Sequence, residues 1–235
     1  MAKNSCILVI SDTHLPYGHP DNIPFLKAVK KKYKPDRVIH VGDETDKHAL
    51  SFHDSDSELF SAGNELIEAI KHLKEYYALF PKVDVMHSNH GSMVYRKAKA
   101  NGIPLSYLKS YADVLEAPKG WKWHNDLVVK MSNGKDCYFN HGLGADIKKV
   151  SQAMGMSCVA GHYHQTFKID YWANPNELYF GMQVGCSIDD KSLAYSYNKN
   201  NPKRPIIGHG IIINGHPHLL PMVLNKKGRW TGQLT

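Results

Sequence analysis

Apolar β-branched runs alternate with amphipathic stretches over the first ninety or so residues of the chain. Ile7-Leu8-Val9-Ile10, Val38-Ile39-His40-Val41 and Val83-Asp84-Val85-Met86 have the length and residue types of buried strands. Between them, residues 23–33 and 62–79 predict helices. Pro24 suits a first helical turn, and Lys34-Pro35-Asp36 breaks the first helix. In the second helix Leu66, Ile70, Leu73 and Tyr77 fall on one face, and Pro81 ends it. Strand–helix alternation of this kind implies right-handed βαβ units and a mostly parallel sheet.

The pattern changes after Gly91. Residues 92–100 predict a short basic helix, stopped by Asn101-Gly102-Ile103-Pro104, and a further helical stretch ends near Ala117-Pro118. Residues 91–123 are therefore expected to form a helical insertion near the site. Two apolar runs, Leu127-Val128-Val129-Lys130-Met131 and Asp136-Cys137-Tyr138-Phe139, flank Ser132-Asn133-Gly134-Lys135, and Asn-Gly between such runs signals a hairpin. A helix over 145–154 leads to the short run Cys158-Val159-Ala160. Beyond His164 the chain is β-rich, with strands expected over 166–171, 178–182, 206–213 and 219–224. The expected fold is α/β: a four-layer αββα sandwich of two mixed sheets flanked by helices. It forms one domain over residues 1–225, with 226–235 as a loose tail.

Composition narrows the class only a little. A chain of 235 residues, 42% hydrophobic and 22% charged, is ordinary for a soluble globular domain. The opening apolar run is too short for a signal peptide or a membrane span, and Asp12 follows at once. Cys6, Cys137, Cys158 and Cys186 form no Cys-x-x-Cys pair and stand in apolar runs. They are expected to be buried thiols in a reducing cytoplasm. The net charge of +7 is compatible with a phosphate-bearing or nucleic-acid partner, yet the lysines are spread along the chain. The densest cluster, Lys30-Lys31-Lys32 with Lys34, reads as a solvated helix end. A nucleic-acid-binding module would rest on charge alone, for no basic stripe with interleaved aromatics is present.

The chemistry is concentrated in four short pieces: Asp12-Thr13-His14, Gly42-Asp43-Glu44-Thr45-Asp46, Ser88-Asn89-His90 and Gly161-His162-Tyr163-His164. Each follows an apolar run, so each is expected at the end of a strand, where ligands distant in sequence converge at one sheet edge. Asp and His suit a divalent transition ion. Asp12 and His14 are two apart, as are His162 and His164, so each pair projects to one side and can grip one ion.

In this order the motifs resemble those of the calcineurin-like metallophosphoesterases, over a stretch from Ile7 to about Asp190. The resemblance implies an αββα fold and a site for two divalent ions, manganese foremost, with iron, zinc, nickel or cobalt as substitutes. Asp12, His14 and His164 would hold the first ion. Asp43 would bridge both, and Asn89, His141 and His162 would hold the second. His90 would be the catalytic histidine, a general acid with Asp46 as its carboxylate partner, and a hydroxide held between the ions would be the nucleophile. The chain departs from the family at Ser88 and Gly91, which stand where the family commonly has glycine and an acidic residue; neither is a ligand. Gly185-Cys186-Ser187 resembles the family's closing strand, and Cys186 is not read as a nucleophile.

Several residues near the motifs have less settled roles. His40 and His87 stand just before motifs and could support ligands, whereas His48 and His53 follow the Asp43 loop and could line the pocket. Lys47 and Arg96 are candidates for binding a substrate phosphate. In its compactness and in the run Asn89-His90-Gly91-Ser92-Met93 the chain resembles the small phage-encoded phosphoesterases, which include a 5′-deoxyribonucleotidase. That likeness implies a nucleotide substrate, hydrolysis of (deoxy)nucleoside 5′-monophosphates, and the cytoplasm of an infected host cell. A phosphodiesterase or nuclease acting on cyclic nucleotides or DNA is the alternative. A catalytically inactive scaffold is a third reading, disfavoured because every ligand position is kept.

Overall fold

A computed structural model describes residues 3–51, 58–189, 191–192 and 202–234. His53 lies outside the described residues. In chain order the elements are β1 (Cys6–Ile10), α1 (Asn22–Tyr33), β2 (Arg37–His40), α2 (Ala62–Leu79), β3 (Val83–Met86), α3 (Met93–Ala100), α4 (Tyr111–Val114), β4 (Trp121–His124), β5 (Leu127–Lys130) and β6 (Asp136–Asn140). Next come α5 (Ile147–Met154), β7 (Ser157–Ala160), β8 (Phe167–Ala173), β9 (Leu178–Val184), β10 (Gly208–Ile213) and β11 (His216–Pro221).

Two mixed sheets result. The first is six-stranded, in the order β11-β10-β1-β2-β3-β4, with β1 to β4 mutually parallel. The second is five-stranded, in the order β5-β6-β7-β9-β8, and β5–β6 is the antiparallel hairpin that Asn133-Gly134 predicts. Gly134 takes φ +83°, a conformation that glycine adopts without strain.

The strand sequences explain the layering. Alternate residues of β1 face opposite sides. Ile7 and Val9 pack with Ile39, Val41, Phe139, Val159 and Met182 between the two sheets. Leu8 and Ile10 pack outward with Phe25, Leu26, Ala69 and Leu73 of α1 and α2. On the far side, Ile147 of α5 covers Tyr138, Cys158 and Ala160. The result is four layers in the order αββα, and β1 reads as a continuous apolar run because both its faces are buried. All four cysteines are buried and free. No helix among the described residues is long and apolar enough to cross a membrane.

Two expectations are corrected. Residues 121–124 belong to no insertion: they form β4, which pairs in parallel with β3 and closes the edge of the first sheet. Trp121 is buried there, and its indole N–H donates to the carbonyl of Phe80 at 2.8 Å. The tail is not loose. Arg229 pairs with Asp21 through Nε at 2.7 Å and through Nη2, the backbone N–H of Trp230 donates to the same carboxylate, and the Trp230 ring meets Phe25 edge-on. The Asp21 carboxylate at the start of α1 is thus engaged with the tail and makes no side-chain cap to its helix.

Candidate metal centre

The four pieces converge beyond the C-terminal ends of β1, β2, β3 and β7, joined by His141 just after β6. Their backbones are tightly constrained. Asp12, His14, Asp43 and His162 all have positive φ, of 36°, 45°, 51° and 69°. Non-glycine residues rarely adopt that region, and clusters of them mark sites where the surrounding structure imposes the conformation. The glycines of the motifs make room. A Cβ on Gly42 would stand 2.7 Å from Nδ1 of His141 and 2.8 Å from Cβ of Ser88, and one on Gly161 would collide with the Asp12 carboxylate.

Two groups of ligand atoms are assembled. Asp12, His14 and His164 form the first, and Asp43, His141 and His162 the second; within each group the candidate atoms lie within 4.8 Å of one another. His14, Asp46 and His90 meet the same distance, a set that shares His14 with the first group. Asn89 joins the second group, with its Oδ1 2.7 Å from Nε2 of His141. Between the groups stands Asp43. Its Oδ2 is 3.6 Å from Nε2 of His14 and 3.1 Å from Nε2 of His141, the place of a bridging carboxylate.

The imidazoles are oriented for metal binding. Nδ1 of His14 lies 2.6 Å from Oδ1 of Asp46, which leaves its Nε2 facing the Nε2 of His164 at 3.2 Å. Nδ1 of His141 donates to the Val41 carbonyl at 2.8 Å, leaving its Nε2 toward Asp43 and Nδ1 of His162 at 3.1 Å. Ligand histidines commonly have one ring nitrogen fixed in this way by a carboxylate or carbonyl. Pairs of ring nitrogens aimed at one another inside a buried carboxylate cluster need a proton or a cation between them, so the donor set fits divalent ions.

Electrostatics agree with this reading. Burial pushes Asp12 up to about 6. Burial also works against ionised Asp43, yet His141, His90 and His14 around it hold its carboxyl well below the usual range. Burial likewise opposes protonation of His141, but the Asp43 carboxylate outweighs it and lifts the imidazole to about 9. Burial, with His14 beside it, holds His164 well below the ordinary imidazole value. Charge at this edge is therefore strongly coupled, and cations can replace the protons that now balance it.

His90 and Asp46 are brought together, but not as expected. Nδ1 of His90 bonds the backbone carbonyl of Asp46, while the nearest Asp46 carboxylate oxygen is 3.8 Å away. The same carboxylate stands closer to His14, at 2.6 Å, and holds His90 only at ion-pair distance. The His90 side chain is 22% exposed against 2% for His14, so His90 is the histidine of this pair open to an arriving substrate. Its backbone N–H donates to Oδ1 of Asp43 at 3.2 Å, which ties it to the bridging position.

Of the two candidate phosphate cations, Lys47 differs from expectation. Lys47 is buried, and its ammonium donates to the carbonyls of His90 (2.7 Å) and Gly91 (3.2 Å) and to the Tyr111 hydroxyl (2.9 Å), over whose ring it lies at 4.3 Å. Burial lowers its pKa to about 8. It faces inward and braces the His90 loop. Arg96 on α3 donates to the carbonyl of Asn89 at 2.8 Å, beside the second ligand group, in an exposed contact.

The departures from the family pattern are accommodated. Ser88 Oγ accepts from the Gly91 N–H at 3.0 Å, and a Cβ at residue 91 would sit 3.0 Å from that oxygen. His40 supports the site: its ring accepts from the Gly42 N–H at 3.2 Å and stands 3.2 Å from the Thr13 hydroxyl, with burial pushing it down to about 4. His48 lies 3.9 Å from the Asp46 carboxylate. Sequence reasoning missed Ser11, whose hydroxyl bonds the Asp12 carboxylate, and, although it marked the segment 185–187, did not foresee that the Ser187 N–H donates to the Asp12 carbonyl at 2.9 Å. Ser11 adjoins a ligand, but nothing in its own type marks it; Ser187 comes from a distant segment.

No curated protein matches the chain. Among solved structures it is similar to Vps29 of Chaetomium thermophilum, at 10% identity and TM-score 0.51, covering 98% of this chain and 95% of that one. It is also similar to vacuolar protein sorting 29 of Cryptosporidium parvum, at 13% identity and TM-score 0.50, covering 98% and 94%. YfcE, a phosphoesterase from E. coli, is similar at 11% identity and TM-score 0.48, covering 96% of each chain. At such identities the likeness shows the fold alone. A family model described as calcineurin-like phosphoesterase matches residues 7–219, spanning every ligand position described above. The chain belongs to the calcineurin-like phosphoesterase family.

Proposed function

We propose that the protein is a phosphomonoesterase that uses two divalent cations, manganese foremost, to hydrolyse (deoxy)nucleoside 5′-monophosphates to nucleoside and phosphate. The observation that carries the reading is the position of Asp43, whose one carboxylate oxygen stands between His14 of the first ligand group and His141 of the second. Two cations bound at such a site supply an activated water and a clamp on the phosphoryl oxygens.

The chain's own residues do the rest. Asp43 offsets repulsion between neighbouring cations. Asp46 and the Val41 carbonyl hold His14 and His141 with the correct nitrogen inward. Asn89 offers an amide oxygen, which ligates without adding negative charge and keeps the edge attractive to a phosphate. His90, partly exposed and held through Nδ1, has Nε2 available to carry a proton toward the leaving oxygen. Arg96 stands at the same edge and is the candidate for the extra charge that a monoester dianion requires. The likeness to small phage phosphoesterases points to nucleotides in a host cytoplasm.

A manganese-loaded assay of 5′-nucleoside monophosphates, cyclic nucleotides, bis(p-nitrophenyl) phosphate and single-stranded DNA tests the proposal. Phosphate release from the 5′-monophosphates in preference to the diesters is expected. Ready cleavage of diesters or DNA with every monophosphate untouched would make the protein a phosphodiesterase or nuclease. Inactivity of the metal-loaded protein on all of them would leave the scaffold reading.

A further inference from the structure

At the pole opposite the metal centre, the segment before β1 and the N-terminal ends of β2, β3 and β4 with the segments leading into them line a groove of about 780 Å³. We propose that this groove holds the phosphodiester backbone of a nucleic acid. Six basic side chains border it: Lys3, Lys30, Arg37, Lys82, Lys119 and Lys122. They come from separate segments, before β1, at the end of α1, at the start of β2, before β3, and before and within β4, and the fold alone brings them together.

Their partners decide which charges remain. Arg37 donates to the Asp84 carboxylate at 3.1 and 2.8 Å, and Lys30 to the Leu79 carbonyl at 2.6 Å. The two carboxylates of the groove are both engaged: Asp36 accepts from the N–H and the hydroxyl of Ser5, each at 2.8 Å, and Asp84 also faces Nε2 of His124 at 2.9 Å. Lys3, Lys82, Lys119 and Lys122 are exposed and have no hydrogen-bond or ion-pair partner among the described residues. Asp36, bonded to neutral donors, keeps its negative charge, so among the described residues six positive and two negative side chains leave the groove a net charge of +4.

The occupant is set by that chemistry. A duplex carries one negative charge per ~1.7 Å of axis, both strands counted, and releases counterions where lysines neutralise its phosphates, so a gathered set of lysines suits such a polyanion. A small anion would satisfy only part of the set. None of the large exposed apolar side chains among the described residues lines the groove, so it lacks the apolar anchors of a protein interface or of membrane insertion. Phe80, its one aromatic among the described residues, is buried, so bases have nothing to stack on and contact is with the backbone. Lys122 on β4 also blunts an exposed sheet edge, but that purpose does not require Lys3, Lys30 and Lys82 to gather beside it. The five residues of β1, ~3.3 Å each, lie between Asn4 at the groove and Asp12 at the metal edge, so a polymer held here leaves that edge open.

Fluorescence anisotropy with a labelled duplex of about two helical turns, in EDTA so that nothing is cleaved, tests the inference. Affinity should fall linearly with salt on logarithmic axes between about 50 and 200 mM. The triple variant Lys82→Ala, Lys119→Ala, Lys122→Ala should bind at least tenfold more weakly at the low end. Its slope should flatten by about 0.9 for each phosphate that a removed lysine had neutralised. Exposed Lys148→Ala with Lys149→Ala on α5 should change neither quantity. Circular dichroism checks the fold; if the triple variant misfolds, Lys119→Ala alone should still show a several-fold loss. Failure of the wild type to bind at low salt, or full binding by the folded triple variant, would overturn the proposal. So would tighter binding of polyglutamate or of anionic vesicles than of the duplex.

Discussion

The Asp46 carboxylate lies 2.6 Å from Nδ1 of His14 and 3.8 Å from Nδ1 of His90, so it orients a ligand of the first ion more directly than it serves the proton donor. Asp46→Asn should therefore act through metal binding. Loss of such a partner costs about 10- to 100-fold in metal affinity. Titrating the apo-protein with Mn²⁺ by calorimetry should show that loss, and activity should recover at high metal. A variant with unchanged metal affinity and a purely catalytic defect would return Asp46 to the role of His90's carboxylate.

His90→Ala should do the reverse. Its imidazole is not in either ligand group built around Asp43 and Asp12, so both ions should still bind. Turnover should drop by about 10² to 10⁴ through loss of a general acid. The loss should be smaller for p-nitrophenyl phosphate, whose leaving group needs little protonation, than for a nucleotide. Equal losses on both substrates would argue against proton donation.

Metal dependence should be absolute. EDTA should abolish turnover and Mn²⁺ should restore it best, because a mixed nitrogen–oxygen set suits transition ions better than Mg²⁺. Asp43→Asn should be the most damaging ligand change, since it touches both groups. Full activity in exhaustively chelated protein, with metal content measured as nil, would remove the two-ion mechanism.

How far the sequence reveals this site depends on distance along the chain. Asp12 and His14 declare themselves because two-residue spacing at a strand end lets both reach one ligand group, whereas His162 and His164 share that spacing but divide between the two groups, His164 with the first and His162 with the second. The layering is legible for a related reason: β1 is apolar on both faces. What the sequence hides is which partner each side chain chooses. Asp46 has two histidines within reach, and only the folded loop shows that its carboxylate turns to His14 and its carbonyl to His90. Lys47 reads as a phosphate ligand by its position after Asp46, but a positive φ of 59° helps direct it inward beneath His90. β4 is missed because Trp121-Lys122-Trp123-His124 is short and lacks β-branched residues, its place being set by pairing with β3.

The Asp21–Arg229 pair gives a pH-dependent stability. Arg229, together with the Trp230 N–H, lowers the Asp21 carboxyl to about 2. A depressed carboxylate stabilises the fold fully above its unfolded value, ~3.9, and loses that contribution as pH falls through the folded value. Asp21→Asn should lower the Tm by a few degrees at pH 7, and the gap to wild type should narrow between about pH 5 and pH 2. A gap that stays constant over that range would show that the tail is held by Trp230 packing on Phe25 and not by the ion pair.

Arg96 stands at the metal edge beside the second ligand group. It lies on the helix after His90 and donates to the carbonyl of Asn89, whose side chain reaches the second ligand group. A guanidinium so placed presents a planar fork of N–H donors whose geometry suits terminal phosphoryl oxygens. A monoester dianion needs such charge more than a diester does. Arg96→Ala should raise KM for a nucleoside 5′-monophosphate more than for bis(p-nitrophenyl) phosphate, and Arg96→Lys should recover part of the difference as a point charge without the planar fork. The contact with Asn89 offers a competing outcome: if Arg96 merely braces the ligand loop, its loss should lower metal affinity and slow both substrates alike. Measuring KM and kcat on the two substrates at saturating Mn²⁺, with metal affinity determined in parallel, separates the two roles.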